Sequence, residues 1–283
     1  MKVISSSNET QLFCLNLRAE GKTIGFVPTM GYLHNGHLSL IEYSKKENDL
    51  TVVSIFVNPT QFSPTEDLSK YPRDIIRDSE LLENAGVDLL FLPSNEEIYG
   101  SNFQTYVNVE KVTKILEGES RPHHFRGVST VVNILFNIVQ PQSAYFGQKD
   151  AQQLAVIKRM VSDLLLPVKI IGCPIIREQD GLAMSSRNVY LSKDERIDAL
   201  ALSRSIFKAK TMIESGETKV EKIISESVLE ITSLASANLD YFRIVEATTF
   251  EEVFEIKKGN QYIVLVACKI GRTRLIDNCE IKI

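Results

Sequence analysis

Two histidines, His34 and His37, lie three residues apart in the segment 30–37. An apolar run at 24–27 precedes this segment and predicts a buried strand, and the pattern from Leu38 onward predicts an amphipathic helix. The histidines therefore lie in a predicted turn between a strand and a helix. The N–H groups and the positive dipole end at the start of such a helix favour an anion, and two imidazoles at this spacing can face one ligand. We expect phosphate to bind here.

Other interpretations of this segment compete with phosphate binding. Two histidines at this spacing can bind a metal ion, although no clear third ligand accompanies them. Isolated histidines are also common as ordinary surface or core residues. Gly31 and Gly36 have the glycine spacing of a P-loop, but His37 and Leu38 stand where that motif has Lys and Ser or Thr. Only the P-loop is excluded by these residues.

A second candidate for phosphate binding lies far down the chain. Ser185, Ser186 and Arg187 follow the turn pair Asp180-Gly181 in a polar stretch that is typical of a loop. Two hydroxyls beside a guanidinium suit a phosphate, because arginine presents a fixed fork of donors and serine donates short O–H bonds. Taken alone, such a tripeptide is more often a solvated turn or a helix cap.

Together, the two segments resemble the His-Ile-Gly-His and Lys-Met-Ser-Lys-Ser signatures of the nucleotidyltransferase superfamily that includes class I aminoacyl-tRNA synthetases. Four stretches between them, at 56–62, 71–73, 121–128 and 146–154, narrow the resemblance. With these stretches the chain resembles the pantothenate synthetase family, also called pantoate–beta-alanine ligases, over its whole length. It departs from the wider superfamily at Ala183, where the synthetases have a lysine, so that Arg187 is the only cation of this loop and Lys149 is the residue expected to supply the missing charge.

The resemblance implies an ATP-dependent condensation of (R)-pantoate with beta-alanine. Pantoyl adenylate would be the intermediate, and AMP and pyrophosphate would be released. Such a reaction needs no enzyme nucleophile, so catalysis is expected to come from positioning and from stabilising negative charge. The predicted catalytic residues are His34, His37, Lys149, Ser185, Ser186 and Arg187. Mg²⁺ is expected to bind mainly through the ATP phosphates, so that no protein ligand is assigned to it.

The resemblance also assigns binding residues. The predicted ATP-binding residues are Met30, Gly31, Tyr32, Leu33, His34, Asn35, Gly36, His37, Gly147, Gln148, Lys149, Asp150, Ile176, Met184, Ser185, Ser186 and Arg187. Lys149 is expected at the phosphates and Asp150 at the ribose. Gln61, Gln153 and Asn58 are the predicted substrate-binding residues, because amides both donate and accept, as a small hydroxy acid requires.

Three other polar residues in these stretches receive no role. His123 and His124 are adjacent, and the segment around them is expected only to border the amine site. Asp78 lies on a predicted helix and could reach Mg²⁺ through water. An acidic residue on a helix face is more often simply solvated, so Asp78 is not assigned to the site.

Composition limits the class of protein. With 283 residues, 43% hydrophobic and 24% charged, the chain is long enough for two globular domains. It has no apolar run long enough to span a bilayer and no signal-like N-terminus, so a cytoplasmic location is expected. A net charge of −4 argues against a nucleic-acid surface. The four cysteines lack the spacing of a zinc site or a disulfide framework. A homodimer is expected from the family resemblance alone.

Alternating elements predict a Rossmann-like α/β domain. Strands are predicted at 51–57, 87–92, 144–146 and 168–172, and helices at 74–85, 128–139 and 152–165. Helices at 193–215 and 219–236, followed by strands at 241–246, 262–270 and 273–277, predict a smaller α+β domain. The predicted domains are 1–177, which binds ATP and pantoate, and 178–283, which carries the Ser-Ser-Arg loop as a lid.

Two rival functions remain open. A nucleotidyltransferase that joins AMP to a phosphate ester would share the histidine turn, but it would need cations for a second phosphate, whereas Gln61 and Gln153 are neutral. A nucleotide-binding module without catalytic activity would need neither the Ser-Ser-Arg clamp nor the paired amides. Release of AMP or pyrophosphate with candidate acids would distinguish the three.

Overall fold

The computed structural model describes residues 1–62 and 68–283. Contacts within the chain divide it into two units. The first unit comprises Met1–Gly147 and Gln152–Pro174, and the second comprises Gln148–Ala151 and Ile175–Ile283. The sequence-based boundary lies after residue 177, whereas this division falls after Pro174 and assigns the short segment Gln148–Ala151 to the second unit. Lys149 therefore belongs with Ser185 and Arg187.

The first unit is a six-stranded parallel sheet covered by helices. Its strands are β1 (Lys2–Ile4), β2 (Ile24–Thr29), β3 (Leu50–Ile55), β4 (Leu89–Phe91), β5 (Ser143–Gly147) and β6 (Lys169–Cys173), in the spatial order β1-β4-β3-β2-β5-β6. Its helices are α1 (Ser7–Ala19), α2 (Asn35–Glu47), α3 (Ile75–Asn84), α4 (Asn95–Ile98), α5 (Glu117–Ser120), α6 (His124–Val139) and α7 (Ala151–Asp163). Short 3₁₀ helices lie at Pro59–Gln61 and Leu68–Lys70.

Runs of apolar residues explain the central strands. In β2, Phe26 packs in one apolar cluster with residues of α6, and the next residue, Val27, packs in a second cluster with residues of α2. Val52 and Val53 of β3 are divided in the same way. Because successive side chains of a strand point to opposite faces, such runs fill both sides of a sheet that is covered on both sides.

The strand order changes direction between β2 and β5. From β2 the chain continues through β3 and β4 toward one edge, and β5 and β6 extend the sheet on the other side. In open parallel sheets, ligands bind beyond the carboxyl ends of the strands at such a switch point. β2 ends at Thr29 and β3 ends at Ile55, so the histidine turn and Asn58 both lie at this end of the sheet.

The second unit combines helices with a three-stranded antiparallel sheet. Its helices are α8 (Lys193–Glu214), α9 (Val220–Ser227) and α10 (Leu229–Ser233), and its strands β7 (Ala237–Glu246), β8 (Gln261–Ile270) and β9 (Thr273–Lys282) pair in the order β7-β8-β9. α8 packs on β8 and β9, with Ile206 and Val264 buried in the core between them. Two 3₁₀ helices, Gln148–Asp150 and Ser186–Tyr190, carry predicted site residues.

The predicted α/β fold class is confirmed, with two differences in detail. The single helix predicted at 219–236 is two helices that meet at Val228. Ile223 and Ile231 are both fully buried and eight residues apart, which is the spacing of one continuous helix, so the apolar period does not register the break. β1 was not predicted. Among the described residues, no helix is long and apolar enough to cross a membrane.

Candidate active site

The predicted strand-to-helix turn is present. β2 ends at Thr29 and α2 begins at Asn35. Two residues between them have left-handed backbones, Gly31 with φ +82° and Tyr32 with φ +51°. Glycine adopts this region without penalty, but a tyrosine does so only at a cost in free energy. Other contacts must therefore hold Tyr32 in place.

Arg77 and Asp78 of α3 hold this turn. Asp78 is 1% exposed, and its carboxylate oxygens accept the backbone N–H groups of Tyr32 at 2.6 Å and Leu33 at 2.8 Å. Arg77 donates to the Leu33 carbonyl at 2.9 Å, and its guanidinium lies 5.5 Å from the centre of the Tyr32 ring. The expectation that Asp78 is a solvated helix residue is wrong, because its carboxylate is buried as the anchor of the turn.

The two imidazoles lie side by side, with ring centres 4.1 Å apart. His34 caps α2 and accepts the Gly36 N–H at Nδ1, at 3.1 Å. His37 accepts the His34 backbone N–H at its own Nδ1, at 3.3 Å. A ring nitrogen that accepts an N–H bond carries no proton, so these bonds assign the ring proton of each histidine to Nε2. Both Nε2 atoms are then donors, which suits an anion at the start of a helix.

Asn58 orients the predicted substrate residue Gln61. The Asn58 amide is 1% exposed, and its Nδ2 donates to the Gly127 carbonyl at 3.1 Å and to Gln61 Oε1 at 2.9 Å. These bonds occupy both N–H groups of Asn58 and identify the Gln61 atom that faces it as the oxygen. The Gln61 Nε2 therefore points away from Asn58. Among the described residues it donates to no protein acceptor.

The oxygen of Asn58 is occupied as well. Its Oδ1 accepts from the Thr60 N–H at 3.3 Å, the Thr60 hydroxyl at 2.9 Å and the Tyr99 hydroxyl at 2.8 Å. Burial raises the pKa of Tyr99, which keeps its hydroxyl protonated as a donor. Asn58 is thus fully engaged with protein groups, which favours a positioning role for it over direct contact with a substrate.

Gly127 of α6 lies against the same segment. A Cβ atom on Gly127 would stand 2.5 Å from the Thr60 carbonyl oxygen. Only glycine permits the helix backbone to come this close. From the first turn of α6, His124 also reaches the segment, with Nδ1 2.9 Å from the Gln61 carbonyl. The start of α6 therefore sets where the Gln61 backbone lies.

Gln152 and Gln153 are neighbours in the first turn of α7 but have different surroundings. Gln152 is 3% exposed, donates to the carbonyls of Val112 and Ile115 at 2.7 Å each, and accepts the Glu117 N–H at 2.9 Å. Gln153 is only half-buried, and among the described residues its side chain has no hydrogen bond to protein. Gln153, the predicted substrate residue, is thus the one of the two whose amide is not used in structural hydrogen bonds among the described residues.

The second unit gathers the other predicted phosphate-binding residues around one cavity. Cationic and acidic side chains line it together with a hydroxyl and an amide. They include Lys149, Ser185, Arg187, Asn188, Arg274 and Asp277. Lys149 and Arg187 are half-buried, and neither forms an ion pair within the described part of the chain. Asp150 is exposed. The cavity therefore combines cations and a hydroxyl, as an anionic ligand requires.

The predicted Ser-Ser-Arg loop is a 3₁₀ helix with a defined cap. Ser185 accepts the Arg187 N–H at its hydroxyl, at 3.3 Å. Asn188 then donates to the Ala183 carbonyl at 3.1 Å and to the Glu178 carboxylate at 2.8 Å. Met184 and Ile176 are the two other predicted ATP residues of this region. The Met184 N–H donates to the Ile176 carbonyl at 3.0 Å.

Metal ligands are not grouped in the described residues. No three His, Cys, Asp or Glu side chains among 1–62 and 68–283 lie together as a metal site requires. Asp78, the acidic side chain that contacts the histidine turn, already binds two backbone N–H groups.

Comparison with known proteins identifies the family. The family model for pantoate-beta-alanine ligase matches residues 2–280. The chain belongs to this family. A pantothenate synthetase of Acetivibrio thermocellus is 54% identical over 283 residues, covering 100% of both chains. A pantothenate synthetase of Sulfurihydrogenibium sp. is 55% identical over 282 residues, covering 99% of this chain and 100% of the relative.

Solved structures agree with this assignment. The crystal structure of pantothenate synthetase from Thermus thermophilus superposes with a TM-score of 0.92 at 45% identity, covering 100% of both chains. That of pantoate-beta-alanine ligase from Francisella tularensis, complexed with beta-gamma ATP and beta-alanine, has a TM-score of 0.81 at 35% identity, covering 99% of this chain and 97% of the other. The family resemblance predicted from the sequence is confirmed.

Some residues of the site were missed in the sequence. Asp78 and the buried Leu82 are four residues apart in α3, and this spacing places Asp78 on the inward face. Asp277 alternates in β9 with the core residues Leu275 and Ile281, which marks it as inward-facing too. A charged residue at an inward position was therefore the available signal. Asn188 carries no comparable signal.

Proposed function

We propose that this protein condenses (R)-pantoate with beta-alanine at the expense of ATP, through pantoyl adenylate. The observation that carries the proposal is the match to the pantoate–beta-alanine ligase family over residues 2–280. A related protein whose structure contains an ATP compound and beta-alanine supports the choice of co-substrates. In this proposal AMP and pyrophosphate are the other products.

The first step joins pantoate to AMP. A carboxylate oxygen of pantoate attacks the α-phosphorus of ATP, and the bond from that phosphorus to the bridging oxygen of pyrophosphate breaks. Negative charge moves to the departing pyrophosphate, so donors that face the phosphates lower the barrier. The Nε2–H groups of His34 and His37 are such donors, since their Nδ1 atoms are occupied by backbone N–H groups. Backbone groups of residues 30–37 would complete this part of the ATP site.

In the second unit, we assign Lys149, Ser185, Ser186 and Arg187 to the ATP phosphates. Their cations and hydroxyls supply the charge-assisted bonds that a triphosphate accepts. Asp150 is exposed, and its carboxylate could accept from two ribose hydroxyls. Gly147, Gln148, Ile176 and Met184 would contribute backbone and apolar contacts to the nucleotide. These assignments need no covalent intermediate on the enzyme.

Pantoate is assigned to the amides of Gln61 and Gln153. The Asn58 contact turns the Gln61 N–H groups away from Asn58, so Gln61 presents donors, which oxygen atoms of a hydroxy acid accept. Gln153 is half-buried and has an uncommitted amide among the described residues. Asn58 acts in this proposal by orienting Gln61. In the second step, the amine of beta-alanine attacks the pantoyl carbonyl carbon, and the bond from that carbon to the oxygen of AMP breaks.

Mg²⁺ is proposed to arrive with ATP. In this proposal the ion is held mainly by phosphate oxygens, where it neutralises charge. A cytoplasmic location and a homodimer complete the proposal, and the homodimer rests on the family resemblance alone.

The exchange of pyrophosphate into ATP tests the order of the chemistry. With pantoate and Mg²⁺ present and beta-alanine absent, labelled pyrophosphate should enter ATP, because adenylate formation is reversible and needs no amine. Beta-alanine alone should support no exchange. Formation of ADP would indicate a phosphorylated acid instead, and exchange that requires beta-alanine would indicate a direct attack by the amine. Either result would overturn the adenylate mechanism.

The same assay separates the two rival functions. A nucleotidyltransferase acting on a phosphate ester would incorporate labelled pyrophosphate into ATP when that ester is present, but not when pantoate is present. A binding module would show no exchange with any acid. The neutral amides of Gln61 and Gln153 favour a hydroxy acid over a second phosphate in this position.

A further inference from the structure

Two adjacent polar residues, Asp277 and Asn278, lie within β9 and are almost completely buried. Asp277 is 3% exposed and Asn278 is 1% exposed. Leu275 and Ile281, two residues before and four after Asp277, both belong to the apolar core of the second unit. Polar side chains in such a place destabilise a protein unless hydrogen bonds compensate for their burial. The partners of this pair therefore indicate its purpose.

Asn278 binds the backbone of the segment that carries Lys149. Its Nδ2 donates to the Gln148 carbonyl at 3.0 Å and to the Lys149 carbonyl at 2.9 Å. Its Oδ1 is buried and has no hydrogen-bond partner among the described residues. An unpaired buried oxygen is unfavourable and uncommon in folded proteins. The amide is thus directed entirely at the 3₁₀ helix Gln148–Asp150, at a cost to stability.

Asp277 holds the hairpin that leads to Ser185. Its carboxylate binds Arg177 in two places, at 2.7 Å and 2.9 Å. Arg177 also donates to the Gly181 carbonyl at 3.0 Å, and its backbone bridges to Ala183, two residues before Ser185. Burial raises the pKa of Asp277, and the charge of Arg177 opposes this shift.

The chemistry of the cavity gives these contacts a meaning. Asp277 lines the same cavity as Lys149 and Arg187, where a bare carboxylate would compete with an anionic ligand for the cations. The bidentate Arg177 neutralises it, and β9 can then act as a common support. Neighbouring residues of a strand point to opposite sides, so Asp277 and Asn278 can hold one segment each.

We propose that Asp277 and Asn278 are positioning residues that set the spacing between Lys149 and the Ser185 to Arg187 segment. The inference rests on the proposed role of these groups in binding the ATP phosphates. Neither residue touches ATP in this scheme. Asn278 acts through Lys149, and Asp277 acts through Arg177 and the hairpin. Because catalysis by positioning is sensitive to displacements of about 1 Å, loss of either support should lower the rate of adenylate formation roughly 10²-fold.

Asn278→Ala and the isosteric Asn278→Asp test the first half. Both should raise the KM for ATP about tenfold and slow single-turnover adenylate formation, while the KM for pantoate stays unchanged. Cys279→Ala is the matched control, since Cys279 is the next residue of β9 and its thiol lies 3.7 Å from the Ile206 carbonyl of α8. It should lower the Tm without changing the KM for ATP. Equal KM values in all three variants would overturn the inference.

Double variants show whether each residue acts through its assigned partner. Asn278→Ala should have little further effect on ATP affinity, measured by calorimetry, once Lys149→Ala is present. Asp277→Asn should still weaken ATP binding in the Lys149→Ala background, but it should not do so in the Arg187→Ala background. Additive losses in every pair would mean that the two residues act only on stability, and the inference would be wrong.

The two proposals can fail separately. If Lys149→Ala binds ATP and forms adenylate normally, the proposed role of Lys149 fails. If Lys149→Ala is impaired but Asn278→Ala is not, only the positioning role fails. Should neither Asn278 variant fold, the Asn278 amide protons of the wild-type protein decide it. Slow exchange with solvent supports the contact with Gln148 and Lys149, and fast exchange contradicts it.

Discussion

In the first unit, buried side chains hold the candidate residues through directed hydrogen bonds. Asp78 holds the backbone of the histidine turn, and Asn58 orients the Gln61 amide. In the second unit, Asn278 holds Lys149 only by its main chain, and the Lys149 and Arg187 side chains have no ion pair in the described part of the chain. Hydrogen bonds depend steeply on direction, whereas charge acts over several ångströms. Neutral groups therefore depend on the orientation of their side chains, whereas cations depend on where the main chain that carries them is held.

This comparison predicts that the two units fail differently. Changes to the neutral groups of the first unit should alter the recognition of one substrate or the stability of the turn. Removing a cation from the second unit should act mainly on the rate of the charged step. Four measurements test it, in order of decreasing expected effect.

Lys149→Ala should give the largest loss. Adenylate formation should slow by roughly 10²-fold or more, because one preorganised charge that stabilises the departing pyrophosphate is removed. Single-turnover formation of pantoyl adenylate measures this directly. Lys158→Ala, at an exposed lysine of α7, is the control and should retain the wild-type rate. A folded Lys149→Ala protein with a near wild-type rate would remove Lys149 from the mechanism.

Asp78→Ala should act first on stability. It leaves the N–H groups of Tyr32 and Leu33 without their acceptor and removes the support for a left-handed tyrosine, so the free energy of unfolding should fall by about 3 kcal/mol. Urea denaturation measures the loss. Glu80→Ala, at an exposed position of the same helix, should change the stability by less than about 0.5 kcal/mol. Equal stabilities for both variants would show that the turn does not need its anchor.

Gln153→Ala should weaken the binding of pantoate about tenfold while leaving the binding of ATP nearly unchanged, because the hydroxy acid would lose one of its hydrogen-bond donors. Its neighbour supplies the control. Gln152→Ala removes three structural hydrogen bonds and should lower the Tm without selectivity for pantoate. Asp150→Ala should show the opposite preference and weaken ATP more. Calorimetric titrations with each ligand compare them, and equal losses for both ligands in both site variants would refute the assignments.

The smallest effect concerns acid stability in the second unit. The pKa of Glu217 is lowered from 4.5 to about 2 by the Lys222 side chain and by backbone N–H groups. A lowered pKa stabilises the fold above pH 4.5, and this contribution is lost as the pH falls toward 2. Glu217→Gln should therefore flatten the loss of stability over this interval, as followed by urea midpoints at several pH values. Identical slopes for variant and wild type would contradict the assignment.

The sequence predicted the parts of the fold that depend on apolar period. The strand before the histidine turn, the βαβ unit around α3 and the late antiparallel strands follow from runs of apolar residues, and the fold class is confirmed. Periodicity does not reveal where a helix ends inside an unbroken pattern. The break at Val228 was therefore missed, and so was the short strand β1.

For the site, the chain revealed which residues carry chemistry but not what holds them. His34, Lys149 and Arg187 are recognisable by type and motif. The hydrogen bonds that give Asp78 and Asn278 their roles are made with partners that lie 45 or more residues away along the chain, as the bonds to Leu33 and Lys149 show. Such partners are a property of the folded chain. The roles of the predicted site residues themselves stay predictions until the variants are measured.

Gly127 limits how the specificity of the enzyme can be redesigned. The α6 backbone touches the Thr60 carbonyl because residue 127 has no side chain, and any Cβ would stand 2.5 Å from that oxygen. A substitution at residue 127 made to enlarge the proposed acid site would therefore push the Gln61 backbone out of place before it created room. Directed evolution toward bulkier acids should therefore keep this position constant. Selected clones are expected to retain glycine at 127.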